Sequence, residues 1–133
     1  MNEISIWKEL DVETKVRTVL SQVAQQDRNP AFGVPYLTAY QLASEIDRQF
    51  PEIRLRLSYP IGGAGVGVNN SLAQYLAKQL SDHIRDEIGF AIEGAFLSNA
   101  GELEVRYRAH DGSDMTSSLT GSGDDLSMFR LRG

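Results

Sequence analysis

Between Tyr59 and Ile84 the chain reads YPIGGAGVGVNNSLAQYLAKQLSDHI, a glycine-rich loop that runs straight into an amphipathic helix. Pro60 stops any element before the loop, and Gly62, Gly63, Gly65 and Gly67 alternate with small or β-branched residues. Ser71 is placed to cap the helix. With Gln74 it fits the S-x-x-Q box, in which each side chain satisfies one orphan backbone donor. Leu72, Ala73, Leu76, Ala77, Leu80 and Ile84 then share one face at helical spacing, which predicts a helix over 71–87 ending near Gly89. That apolar face has to be covered, so the segments on either side are read as its cover.

A glycine loop before a helix N-terminus also aims free N–H groups and the positive dipole end at an anion, which makes Gly65, Gly67 and Ser71 candidate anion-binding residues. The sharper phosphate motifs are missing. No Lys-Ser/Thr follows the last glycine, and the third glycine of G-x-G-x-x-G would fall at Val68 or Asn70. A tight turn requiring φ > 0 is the competing explanation.

The 133 residues fit one domain large enough for a real core, and 41% hydrophobic with 23% charged residues weighs against wholesale disorder. No apolar run reaches the length of about 18 residues that a membrane span needs. The acidic start MNEISIWKELDVE does not read as a signal peptide, so the cytoplasm is the expected location. The absence of cysteine excludes disulfides and thiolate zinc sites. A net charge of −5 argues against indiscriminate nucleic-acid binding, which needs clustered cations, yet leaves room for a local basic patch.

In chain order, Val12, Val16, Val19, Leu20 and Val23 predict an amphipathic helix over 11–26, with Asp11 placed to cap it. Ile6 and Trp7 either begin that helix or lie across it. Asp27 to Pro30 breaks it, and 31–36 reads as loop. Thr38 and Gln41 form a second capping box ahead of Ala39, Leu42, Ala43, Ile46 and Phe50, predicting a helix over 38–50 with Pro51 beyond its end. Ile53-Arg54-Leu55-Arg56-Leu57 alternates as a half-buried strand does. After the central helix, 90–97 and 102–109 read as the two strands of a hairpin around the turn Ser98 to Gly101. His110-Asp111-Gly112 reads as a turn, and 110–125 as a mobile polar linker. Met128 to Arg132 either adds an edge strand or hangs free.

Three R-x-R units recur: Arg54/Arg56, Arg106/Arg108 and Arg130/Arg132. In a strand both arginines of such a unit face the same way, so strands sharing one sheet would gather their guanidinium groups. Such a face needs either carboxylates, with Glu52, Glu93, Glu102 and Glu104 at hand, or a bound phosphate. Evidence for catalysis is thin. His83 with Asp82, Asp86 and Glu87 does not guarantee the convergent ligands of a metal site, and no G-x-S-x-G elbow is present. No metal, cofactor or catalytic residue is expected.

Helix, helix, helix and then hairpin is an order that resembles the winged-helix family over residues 11–109. LTAYQLASEIDRQF is similar to the first helix of a helix-turn-helix and SLAQYLAKQLSDHI to the second, although about twenty residues separate them where the motif has a turn of about three or four. The resemblance implies that Gln74, Lys78 and Gln79 are reading positions nearest the bases.

The expected fold is α+β: three amphipathic helices packed on a small antiparallel sheet, winged-helix-like, as one domain over 1–109 with a flexible segment over 110–133. The expected function is a non-enzymatic nucleic-acid-binding or regulatory module, with Arg54, Arg56, Arg106 and Arg108 neutralising phosphates. The alternative is an acidic protein-interaction module of immunity, inhibitor or adaptor type, dimeric through an edge strand or helix.

Overall fold

A computed structural model describes residues 3–26, 31–62, 71–98, 100–101, 104–118 and 126–132 of the chain. The fold is α+β, as expected, but with five helices among the described residues in place of three. These are α1 (Glu3–Glu9), α2 (Val12–Gln26), α3 (Ala39–Gln49), α4 (Glu52–Leu57) and α5 (Leu72–Asp86). The strands among the described residues are β1 (Leu37–Thr38), β2 (Ile92–Leu97), β3 (Glu104–Arg108), β4 (Asp114–Ser118) and β5 (Leu126–Leu131).

The long helices fall where periodicity placed them, and the expected caps form at α3 and α5. Thr38 closes the full capping box on α3: its hydroxyl accepts from Gln41 N, and Gln41 Oε1 accepts from Thr38 N. Ser71 caps α5 by accepting from Gln74 N at 3.1 Å. Beyond the end of α5 the chain passes through Gly89, whose φ of +78° is costly for a residue with a Cβ. Ile6 and Trp7 belong to a separate helix, α1, which packs on α2 and α4. Asp11 makes the corner between α1 and α2 at φ 47°, a region aspartate tolerates better than most residues, and its side chain accepts from the Thr14 hydroxyl at 3.0 Å.

Residues 53–57 are helix rather than the strand expected from their alternation. The side chains that matter are Ile53 and Leu57, spaced i and i+4 and both buried, while Leu55 is 67% exposed. A strand would have put all three on one face. Pro51 precedes the first turn of α4, where its missing N–H costs nothing, and Ser58 ends the helix at φ 60°.

Strand pairing also departs from the expected hairpin of 90–97 with 102–109. β2 pairs antiparallel with β5 from Ile92↔Leu131 to Leu97↔Leu126, and β1 pairs with the other edge of β5 at Leu37↔Phe129. The sheet order is therefore β1–β5–β2. Residues 126–131, expected at an edge or free, form the central strand, with Leu126 and Phe129 buried. β3 pairs instead with β4, from Glu104↔Ser118 to Arg108↔Asp114, so residues 114–118 of the expected linker are strand. The expected boundary at 109 falls inside this second hairpin. Its turn is the one legible at His110-Asp111-Gly112: Gly112 sits at φ 87°, and Asp111 Oδ1 accepts from Ser113 N.

One core joins these parts. Val12, Val16 and Val19 of α2, Leu42 and Ile46 of α3, and Leu72, Leu76 and Leu80 of α5 pack with Ile92, Phe129 and Met115. Among the described residues no helix is long and apolar enough to cross a membrane.

Candidate nucleic-acid interface

Because α4 is a helix, Arg54 and Arg56 point apart instead of sharing a strand face. Arg54 Nε donates to Asp47 Oδ1 of α3 at 2.8 Å, and Arg56 Nη2 donates to Glu9 Oε2 of α1 at 2.6 Å. The third R-x-R unit is also committed within the fold. Arg130 Nε donates to Glu93 Oε2 across the β5–β2 ladder, and its Nη1 donates to the carbonyls of Phe32 and Val34. The same guanidinium lies 4.3 Å from the Tyr36 ring centroid. Arg132 Nε donates to Phe90 O. The three units lie on a helix, on the hairpin and on or just past the three-stranded sheet, so the condition for gathering their guanidinium groups, strands that share one sheet, is not met.

Arg106 and Arg108 do share a face. They sit two residues apart on β3, opposite Thr116 and Asp114 of β4, and both are exposed. With Tyr107, these residues line an open depression of about 560 Å³. Arg108 Nε is 3.7 Å from Asp114 Oδ1, a pair about four-fifths exposed on both sides and therefore weak.

On α5 the three positions expected to face bases divide. Gln74 and Lys78 face outward with Arg85 further along, whereas Gln79 and Tyr75 are buried at 6% and 3% exposure. Gln79 is thus removed from the exposed stripe: Leu76 and Leu80 flank it, and the buried arc of the helix is wide enough to include it. Lys78 and Arg85 both lie near Asp82, at 3.7 and 3.5 Å.

At the N-terminus of α5, Leu72 N donates to Pro60 O, Ala73 N to Ile61 O, and Gln74 N to Ser71 Oγ. These first-turn donors, suggested above for an anion, are bonded within the fold. Gly65 and Gly67 lie outside the described residues.

The hairpin is held on α3 by contacts that local sequence patterns do not show. Tyr107 stacks on Tyr40 with centroids 5.2 Å apart and planes 8° apart. His110 N donates to Ser44 Oγ, and His110 Nε2 donates to Asp47 Oδ2, each at 2.8 Å. Asp47, 4% exposed, thus receives the imidazole on one oxygen and Arg54 on the other, which answers the cost of burying a carboxylate. The Arg48 guanidinium hydrogen-bonded to Glu45 lowers that carboxyl's pKa, with a smaller contribution from His110. Burial raises the Tyr107 phenol. No spacing rule joins positions 44 and 47 to 110, because the contact exists only once the hairpin has folded back.

His83 lies between Trp7 and Phe90, with centroids 4.9 and 5.5 Å away, and its Nδ1 pairs with Glu87. It ties α1 to α5 and the approach to β2. Among the described residues no three His, Asp or Glu side chains converge as metal ligands. Compared with known protein families, curated proteins and solved structures, the chain matches none of them.

Proposed function

We propose that this chain is a non-enzymatic, winged-helix-like module that binds nucleic acid in the cytoplasm. Arg106 and Arg108 neutralise backbone phosphates, and Gln74 and Lys78 on the outer face of α5 lie nearest the bases. One observation carries the reading: α3 and α5 are capped amphipathic helices packed side by side, with a three-stranded sheet behind and a separate hairpin presenting two exposed guanidinium groups. The long connection between α3 and α5 that departs from a helix-turn-helix is occupied in part by α4. Arg54 and Arg56 drop out of the phosphate contact because each is bonded to a carboxylate.

Fluorescence anisotropy with a mixed-sequence duplex, and separately a single strand, across a salt series tests the reading. Binding should weaken steeply with salt, and each arginine replaced by alanine should lower the log–log slope by about 0.9. Arg106→Glu/Arg108→Glu should abolish binding. Absence of binding to either probe at low salt overturns the proposal.

A second reading, an acidic protein-interaction module of immunity, inhibitor or adaptor type, draws support from the pairing of Arg54, Arg56 and Arg130 with carboxylates. Among the described residues β2 pairs on one edge only and carries exposed Phe96 and Leu97, so a homodimer would form there. A monomer mass of 14.7 kDa held up to the highest concentration in sedimentation would count against that dimer.

A further inference from the structure

The β3–β4 hairpin has an unusual attachment. Among the described residues it shares no ladder with the three-stranded sheet, so its place depends on side-chain contacts with α3 and the segment before the glycine loop. Those contacts fall on one side. Tyr107 stacks on Tyr40, Met115 packs where a Cβ on Gly62 would sit 2.7 Å from its sulfur, and the turn is bonded to Ser44 and Asp47. One contact is imperfect: the Tyr107 hydroxyl is buried beside Thr38 without a partner of hydrogen-bond geometry. A buried donor left unmade favours any state that wets it. The closed position therefore balances a charged bond at the turn against an unsatisfied phenol near the middle.

We infer that the β3–β4 hairpin is an arm that opens as a unit while the core stays folded, latched on α3 by the His110–Asp47 pair. Asp47 is the positioning residue. Its carboxylate joins the arm to α3 and, through Arg54, to α4, so losing either partner leaves the buried charge half-paired. When the arm lifts, Arg106 and Arg108 travel with it, and the faces of Tyr40 and Ser44 come into water. The latch does not depend on what those arginines bind.

Hydrogen exchange on the whole chain tests it. In the wild type, backbone amides at 105–107 and 115–116 should exchange faster than those of α2 and α5, reporting an opening below global unfolding. His110→Gln, a change in an exposed turn, should speed the hairpin amides at least tenfold and leave α2 and α5 unchanged. Tyr107→Phe, which removes the unpaired hydroxyl and keeps the ring stack, should slow them. Asp47→Asn should act on the hairpin like His110→Gln, and since that variant risks general unfolding, the two milder variants carry the decision. Hairpin and core amides exchanging at one common rate, or no change in hairpin exchange in His110→Gln, would overturn the arm.

Discussion

Arg130 shows what a single side chain does here that composition cannot reveal. Its fork grips Glu93 and two carbonyls of the 31–36 loop, its plane lies on Tyr36, and Gly33, at φ 80°, leaves room where a Cβ would stand 3.2 Å from Nη1. A lysine has one point charge and no fork. Arg130→Lys should cost about 1.5–3 kcal/mol, the range for hydrogen bonds to charged groups, seen as a lower urea midpoint with an unchanged m-value. The sequence offered Arg130 as half of an R-x-R unit and Glu93 as a nearby carboxylate. It could not say that they face each other, because that follows from a strand pairing between residues far apart in the chain. Asp47 and Ser44 gave still less warning. Both sit inside a helix whose outer face reads as ordinary polar surface, and the histidine that engages them lies 63 residues away from Asp47.

At the scale of elements, the legible parts are those whose signals are local. α2, α3 and α5 were placed to within a residue or two, because a 3.6-residue period and a cap are written in adjacent residues. Five residues alternating apolar and basic carry both periods at once, and for 53–57 the tertiary partners decided: Asp47 and Glu9 lie on opposite sides of a helix. That assignment has a direct check by urea denaturation. Ile53→Ala should cost about 2–5 kcal/mol, whereas Leu55→Ala should stay within about 0.5 kcal/mol. Equal penalties at 53 and 55 would return the segment to a strand. β4 was hidden for a different reason. DMTSS puts one large apolar residue, Met115, into the core, and a single inward side chain makes no visible alternation.

The molecule as a whole responds to acid through several exposed pairs rather than one buried switch. Arg48 lowers the pKa of Glu45, Arg85 lowers that of Asp86, and the Ser113 hydroxyl and amide lower that of Asp111. A carboxyl depressed in the folded state stabilises it above the unfolded value, and the contribution fades as pH falls through the folded value. Stability should therefore hold near neutrality and decline below about pH 4.5, the ordinary glutamate value, with 0.5 M salt blunting the loss because most of these pairs face water. Urea titrations at pH 6 and pH 3, at low and high salt, measure it; an identical acid loss at both salt levels would overturn the assignment to exposed pairs. The central place of β5 has a consequence of another kind. Its partners in β1 stand roughly ninety residues earlier in the chain, so β1 and β2 have no strand between them until residues 126–131 have left the ribosome. Until that moment the nascent protein holds its helices over a sheet with a missing middle, and translation itself sets the earliest time at which the fold can close.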